Sequence, residues 1–329
     1  MIRLIPRKGQ KTRPPTSGTS TDSVGGIKPP VGGLYDVSGR RLALYCSGSG
    51  TPAVVFLPGA GMVGLDFFNV HEQVSQFTMS VLYDHAGTGW SDQVKLPRSA
   101  TEVTDELRSL LREASVPAPY LLVGHSLGGA YAQRYAQRWP SEVAGLLLLE
   151  PAHEDFNAYM PKQTPLDQLR GILATLRLLW HYKTFYRNMF GRMFSTFPNE
   201  VREPLIDWHL RSLTKTFQEW PASDRTAKGK LLTELRTGGN RPNVPLIVLC
   251  ALGIDPSMAA AMSSSYLHKM NDGKRALYTA LAESVPRGEY REVENAGHTT
   301  IHTDRPDAVV RAIRDLVDSI RDEAPTPHG

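Results

Sequence analysis

Short, continuous apolar runs that alternate with helical patterns constrain the fold of this chain more than any other feature. The clearest runs are "AVVFL" at residues 53–57 and the apolar parts of "PYLLVGHSLGG", "VAGLLLLEPAH" and "PLIVLCALGIDP". Continuous runs are typical of strands buried on both faces, whereas a strand with one wet face alternates apolar and polar residues. Weaker strands are indicated around Arg41–Cys46 and in "MSVLYDHAGTGWSD" and "GEYREVENAGH". Helical spacing between the runs therefore predicts an α/β fold, with a mostly parallel central sheet and helices on both faces.

The same pattern divides the chain into a core, an insertion and two tails. Residues 34–152 and 241–320 carry the strand and helix signals and form the predicted core. Residues 153–240 show no clear strand but contain twelve of the chain's 27 aromatic residues, which predicts an inserted helical cap. Residues 1–33 are rich in Pro, Gly, Ser and Thr and predict a flexible basic tail. Residues 321–329 form a predicted C-terminal tail.

Composition excludes several classes of partner. The chain is 41% hydrophobic and 21% charged, which is typical of a globular protein. Its net charge of +4 comes from residues 1–30, which hold six Lys or Arg and one Asp, so the folded part has no basic footprint for nucleic acid. No stretch approaches the roughly 18 apolar residues of a membrane span, and we expect no contact with a membrane surface. The chain has two cysteines, Cys46 and Cys250, which we interpret as buried side chains in a protein of the reducing cytoplasm.

The stretch Gly124-His125-Ser126-Leu127-Gly128 joins a predicted strand to a predicted helix. A serine held on a tight strand-to-helix turn brings backbone close on both sides, so the flanking positions need glycine. The turn also exposes Ser126 at the N-terminus of a helix, where free N–H groups favour a developing negative charge. The pattern therefore predicts that Ser126 is a nucleophile.

A serine hydroxyl needs a base to take its proton, and the base needs a carboxylate to orient it. His298, in "ENAGHTTIHTDRPD", follows the last predicted strand at the sheet edge that carries Ser126, and is the candidate base. Two carboxylates end strands at this edge, Glu150 after "LLLL" and Asp255 after "LIVLCALGI". The sequence leaves both open as the acid, and we favour Asp255. His302 lies four residues after His298, but "HTTIH" lacks the glutamate of an H-E-x-x-H zinc site, so no metal is expected.

Acyl transfer at a serine also needs backbone donors for the oxyanion. One donor commonly belongs to the residue after the nucleophile and the other to an early strand-to-helix loop. Leu127 is the residue after the nucleophile, and "LPGAGM" at residues 57–62 is a Gly-rich loop of this kind. We therefore predict that Leu127 and Ala60 form the oxyanion hole.

Five stretches together carry a resemblance to a known family. "FLPGAG", "LYDHAGTGWSD", "LLVGHSLGG", "LLLLEPAH" and "AGHTTIHTDRPD" follow one another in the order and spacing of the α/β-hydrolase superfamily, over about residues 34–320. By this resemblance Ser126 matches the family nucleophile, His298 the base, and Asp255 or Glu150 the acid. The chain departs from the family where Pro58 replaces a frequent histidine before the loop glycine, and where the loop to Asp255 is about one residue longer.

The resemblance and the residues together predict an enzyme. A serine at position 126, where relatives with alkyl-enzyme esters have aspartate, indicates acyl chemistry: hydrolysis of a carboxylic ester, lactones and thioesters included, without a cofactor. The aromatic cap suggests that the small-molecule substrate has an apolar moiety. Alternatives are a cofactor-free perhydrolase or haloperoxidase, a C–C bond hydrolase, or a ligand-binding protein that has lost turnover. The oligomeric state is not indicated by the sequence.

Overall fold

The computed structural model describes residues 28–219, 229–241, 243–255, 258–259 and 262–323. Most of the predicted N-terminal tail and residues 324–329 of the predicted C-terminal tail lie outside these ranges. The tail boundaries shift slightly, because the first strand begins at Gly33 and the last helix continues to Glu323.

Eight strands form one sheet, which is mostly parallel as predicted. They are β1 (Gly33–Val37), β2 (Arg40–Ser47), β3 (Ala53–Leu57), β4 (Ser80–Tyr83), β5 (Tyr120–His125), β6 (Val143–Leu149), β7 (Leu246–Ala251) and β8 (Gly288–Val293). Their spatial order is β1-β2-β4-β3-β5-β6-β7-β8. The strands β4, β3, β5, β6, β7 and β8 pair in parallel, and β2 is antiparallel to both β1 and β4.

The edge hairpin of β1 and β2 differs from the sequence interpretation, which gave a single strand there. Val37 pairs with Arg40, so the loop between the two strands has two residues, Ser38 and Gly39. Both have positive φ, 55° and 79°, as the preferred two-residue hairpin turns require. Ser-Gly is a weaker hairpin signal than Asn-Gly or Asp-Gly, and this explains why the pattern did not reveal β1.

Helices connect the strands and cover both faces of the sheet. They are α1 (Phe68–Val74), α2 (Ala100–Glu113), α3 (Leu127–Arg138), α4 (Phe156–Tyr159), α5 (Pro165–Met193), α6 (Asn199–Arg211), α7 (Lys215–Glu219), α8 (Gly229–Thr237), α9 (Ser264–Glu283), α10 (Ile301–Asp304) and α11 (Pro306–Glu323), with short 3₁₀ turns at Gly64–Phe67 and Pro140–Glu142. Alternate residues of the central strands enter two apolar clusters. Val55 and Leu122 pack with side chains of α2, α3 and α9, whereas Val54 and Leu121 pack with side chains of α1 and α11.

The segment between β6 and β7 forms the helices α4 to α8, and its described residues contain no strand. Four of its aromatic residues, Phe190, Phe194, Phe197 and Trp208, are buried in the cluster that includes α1 and α11. The side chains of Trp180, Tyr182, Phe217 and Trp220 lie outside the described residues. With Tyr186 packed against the same cluster, five of the eight aromatic side chains described in this segment serve packing.

The helices and the cysteines of the described chain can be compared with the expectations about its environment. None of its described helices has a stretch that is both long and apolar enough to cross a bilayer. Both cysteines are free thiols, and Cys250 is buried as predicted. The interpretation of Cys46 as buried is wrong, because the side chain lies near the end of β2 and is exposed.

Candidate active site

Ser126 lies between β5 and α3 on a strained turn. Its backbone has φ 50° and ψ −117°, a left-handed conformation that a residue with a side chain rarely adopts. A Cβ at Gly124 would lie 2.6 Å from the Gly128 carbonyl oxygen, and a Cβ at Gly128 would lie 2.5 Å from the carbonyl oxygen of Pro58. Both glycines are therefore required sterically, as the motif predicts.

His298 lies on the loop after β8 and faces Ser126. Its Nε2 is 3.1 Å from the Ser126 Oγ, a distance at which the hydroxyl donates to the ring nitrogen. The Ser126 side chain is almost buried, whereas the His298 side chain is 35% exposed. The neighbouring His125 places its Nε2 2.8 Å from the backbone oxygen of His298 and so helps to hold this loop.

Glu150, and not Asp255, contacts the imidazole of His298. The Glu150 Oε2 is 2.8 Å from the His298 Nδ1. Asp255 instead accepts the backbone N–H of His298 at 3.0 Å and the hydroxyl of Thr299 at 2.7 Å. The preference for Asp255 as the partner of the imidazole is therefore wrong, and the Asp255 carboxylate fixes the loop that carries His298.

Glu150 is a buried carboxylate with a full set of partners. Its Oε1 accepts the Ala251 N–H at 2.9 Å and the Lys274 ammonium at 2.8 Å, which leaves Oε2 for His298. Burial alone would raise the pKa of Glu150, but the hydrogen bond and charge of His298, together with Lys274, outweigh it and hold the pKa below its ordinary value. Glu150 is therefore ionised at neutral pH. Its backbone φ of 45° adds a second strained residue to the site.

The loop after β3 passes close to Ser126. A Cβ at Gly59 would lie 3.1 Å from the Ser126 Cβ and 2.7 Å from a ring nitrogen of His125, so the backbone at this position can approach only without a side chain. Ala60 follows Gly59 on this loop. Leu127 is the first residue of α3, and its N–H has no acceptor within the helix. The two predicted oxyanion donors thus belong to segments that flank Ser126.

Glu219, at the end of α7, was not found from the sequence. Its Oε2 accepts the N–H of Gly61 at 2.6 Å, and its Oε1 is 2.6 Å from the Nε2 of the buried His85. The inserted segment therefore binds directly to the loop that carries Ala60. No local signal indicated this contact, because its partners lie 134 and 158 residues away in the sequence.

His302 does not join the exposed site. Its ring is buried against Phe67, at 4.7 Å between ring centroids, and neither ring nitrogen has a hydrogen-bond partner among the described residues. Burial lowers the pKa of His302 to about 4, so this side chain is neutral at neutral pH. Within the described part of the chain, no three His, Cys, Asp or Glu side chains group as metal ligands would.

A cavity of about 420 Å³ opens beside Ser126, Glu150 and His298. Apolar and polar side chains both line it. The apolar residues are Pro151, Ala152, Phe156, Leu232, Ile254, Met258, Leu267, Met270 and Tyr278, and the polar ones include His153, Glu154, Asn157, Thr233, Arg236, Asp255, Asn271 and Lys274. Of the eight aromatic side chains that are described in the inserted segment, Phe156 lines this cavity, and aliphatic and methionine side chains supply most of its apolar wall.

Comparison with known sequences assigns this fold and site to a family. The sequence model of the alpha/beta hydrolase family matches residues 54–312. The chain belongs to the alpha/beta hydrolase family. It is 21% identical to the uncharacterized protein YbdG of Bacillus subtilis over 295 residues, 88% of this chain and 86% of YbdG. It is 31% identical over 123 residues to the uncharacterized protein Rv2715 of Mycobacterium tuberculosis, which covers 37% of this chain and 36% of that protein.

Solved structures with the same fold include esterases. An esterase from Thermogutta terrifontis is 18% identical with a TM-score of 0.53, over 87% of this chain and 98% of that one. The esterase EaEST from Exiguobacterium antarcticum is 18% identical with a TM-score of 0.57, over 88% of this chain and 100% of that one. A meta-cleavage product hydrolase from Pseudomonas fluorescens is 14% identical with a TM-score of 0.58, over 88% and 98%. At these identities the likeness shows the fold alone.

Proposed function

We propose that this protein is a serine hydrolase that cleaves a carboxylic ester through an acyl-enzyme on Ser126. The observation that carries the proposal is the continuous relay from the Ser126 Oγ to the His298 Nε2 at 3.1 Å and from the His298 Nδ1 to Glu150 at 2.8 Å. A base within hydrogen-bond reach of the nucleophile, itself oriented by a third group, is what activates a serine.

In the proposed reaction the Ser126 oxygen attacks the ester carbonyl while its proton passes to the His298 Nε2. The resulting imidazolium is stabilised by the Glu150 carboxylate and returns the proton to the leaving alcohol. The N–H groups of Leu127 and Ala60 hold the tetrahedral oxyanion. A water molecule, deprotonated by His298, then cleaves the acyl-enzyme and regenerates Ser126.

The cavity supports an ester with an apolar moiety of moderate size. Leu232, Met258, Leu267 and Met270 form an apolar wall beside Ser126, and methionine side chains adapt to irregular apolar groups. The sequence argument for an apolar substrate relied on the aromatic residues of the inserted segment, but most of those that are described are packed away from the cavity. The free cysteine thiols support a reducing compartment such as the cytoplasm.

A fluorophosphonate probe tests the nucleophile directly. The folded protein should be labelled at Ser126, as located by peptide mass spectrometry, and the Ser126→Ala variant should remain unlabelled. Hydrolysis of 4-nitrophenyl esters should be lost in the same variant. A folded protein that neither reacts with the probe nor turns over any ester of acetate to decanoate would contradict the proposal.

A further inference from the structure

Lys274 on α9 is buried against the candidate acid, although the relay described above does not include it. Only 5% of this residue is exposed. Its Nζ donates to the Glu150 Oε1 at 2.8 Å and also to the backbone oxygen of Ala251 at the end of β7. Both acceptors lie more than 20 residues away in the sequence, so the contact exists only in the folded protein.

The other titratable groups that face Glu150 are neutral at neutral pH. The Cys250 Sγ lies 3.7 Å from the Glu150 Oε1, and burial raises the pKa of this thiol to about 12. Burial also raises the pKa of the Tyr278 hydroxyl, which donates to the Pro151 oxygen. A buried carboxylate without a counter-charge is costly, and Lys274 is the cation in contact with this one.

The groups that face His298 add no second cation. The ring of His125 lies 5.0 Å from that of His298, and burial, with the charge of His298 next, lowers the pKa of His125 well below its ordinary value. Asp255 binds the backbone N–H of His298 and contributes a negative charge. Without Lys274, the Glu150 carboxylate at the imidazole and the Asp255 carboxylate at the His298 backbone would both lack a described cation in contact.

We propose that Lys274 is a positioning residue that keeps the triad in its active protonation state. It holds the Glu150 Oε1, so that Oε2 faces the His298 Nδ1, and it supplies the charge that balances the Glu150 carboxylate. His298 then need not be protonated to neutralise its partner, and its Nε2 stays free to accept the Ser126 proton. This inference rests on the proposed function.

Removing the charge of Lys274 should move the acidic limb of the activity profile to higher pH. An opposite charge within about 4–6 Å lowers the pKa of a carboxyl group by roughly 1–3 units. When the lysine is absent, the imidazole becomes the positive charge that the Glu150 carboxylate can pair with. In Lys274→Met we expect the acidic limb of kcat/KM to move upward by about one pH unit. On the acidic limb the activity should be up to about tenfold lower than that of the wild type at the same pH, while the plateau at high pH and KM should change little.

The test measures two pH profiles for each variant: kcat/KM for 4-nitrophenyl butyrate and the rate of fluorophosphonate labelling. Lys274→Met and Lys274→Gln should both shift the acidic limb upward, and Lys274→Arg should restore it, because arginine keeps the charge. Glutamine keeps an N–H donor for Ala251, so it provides the same test if the methionine variant does not fold. The matched control is Lys269→Met on the same helix, which removes the charge of an exposed lysine that does not line the cavity.

Two results would overturn the role of Lys274. One is an acidic limb that stays in place in both neutral variants while their melting temperatures fall, which is the behaviour of a lysine that only attaches α9 to β7. The other is an equal shift in Lys269→Met. In either case a wild-type protein that reacts at Ser126 leaves the proposed function standing. A wild-type protein without any reaction at Ser126 contradicts the proposed function, and the role of Lys274 with it.

Discussion

Substituting Glu150 by glutamine tests the relay at its most specific contact. In the wild type the Glu150 Oε1 accepts from Lys274 and from the Ala251 N–H, and Oε2 faces the His298 Nδ1. The amide oxygen of glutamine must replace Oε1, because both groups there are donors. Its NH₂ group then faces Nδ1 and donates to it, which moves the ring proton to Nε2. His298 in this tautomer cannot accept the proton of Ser126.

The expected loss is large because the whole population adopts the wrong tautomer. An acid-to-amide change at the equivalent position of a serine protease triad lowers kcat by about 10⁴. At about 1.4 kcal/mol per factor of ten, this corresponds to a barrier roughly 5.5 kcal/mol higher. We expect a similar fall in Glu150→Gln, measured as kcat for 4-nitrophenyl butyrate at pH 8, with KM nearly unchanged.

Stability must be separated from catalysis in this variant. Glutamine leaves Lys274 buried without a counter-charge, and breaking a buried pair on one side typically costs about 3–5 kcal/mol of unfolding free energy. The double variant Glu150→Gln, Lys274→Met should recover much of that stability, as measured by urea unfolding, but none of the activity. Recovery of activity together with stability would mean that Glu150 acts through folding alone.

Asp255→Asn is the matched control for this experiment. The Asp255 Oδ2 accepts the backbone N–H of His298, and its Oδ1 accepts from Thr299. In asparagine the amide oxygen can keep the bond to the His298 N–H, while the NH₂ group donates to the Thr299 hydroxyl, which can accept as well as donate. We expect a loss of about tenfold or less, since each bond to a charged acceptor weakens without a change of tautomer. A fall of 10³ or more in Asp255→Asn, with Glu150→Gln within tenfold of the wild type, would refute the assignment of Glu150 as the acid.

Three further predictions address the turn, the interior and the cavity. Gly128→Ala should abolish labelling of Ser126 and lower the melting temperature, because its Cβ would clash with the backbone oxygens of Leu57 and Pro58; labelling at the wild-type rate would contradict the steric argument. Burial lowers the pKa of His302 from 6.5 to about 4, so the unfolded chain binds a proton that the folded protein excludes, and stability is lost as the pH falls through this range. Between pH 7 and pH 4 the unfolding free energy of His302→Phe should fall by about 3 kcal/mol less than that of the wild type, as measured by urea unfolding at both pH values. An equal fall in the two proteins would contradict this expectation. Leu267→Trp should narrow the cavity and raise KM for octanoate esters several-fold while acetate esters are unaffected, whereas equal effects on both would count against this cavity as the substrate site.

Local sequence patterns predicted the sheet, Ser126 and His298, because each depends on a short stretch of chain. Buried strands are continuous apolar runs, and the glycines around Ser126 are required by backbone atoms within the same turn or the neighbouring strand. The choice between Glu150 and Asp255 could not be made in this way. Both residues follow adjacent parallel strands, β6 and β7, and a strand pattern does not tell which of the two side chains reaches the imidazole.

Longer-range properties were less accessible to sequence reasoning. The aromatic residues of the inserted segment suggested an apolar pocket, yet Phe190, Phe194 and Phe197 pack into the core, because composition does not tell which face a side chain occupies. Lys274 is one of five lysines in the described helices, with no local feature that distinguishes it, and its partner Glu150 lies 124 residues earlier. A buried ion pair of this kind becomes visible only when the topology has brought both elements together.

Backbone hydrogen bonds connect the two strained turns of the site, at Ser126 and at Glu150. The backbone oxygen of Ser126 accepts the N–H of Gly129 at 3.0 Å and that of Ala152 at 2.8 Å, and Ala152 lies two residues after Glu150. The N–H of Ser126 donates to the Leu149 oxygen, which continues the pairing of β5 and β6 beyond the strand ends. Ser126 and Glu150 are thus fixed relative to each other by backbone bonds, and these bonds hold two residues with unfavourable φ in place. Because His298 must span the space between them, the positions of the two turns set the length of both hydrogen bonds in the relay.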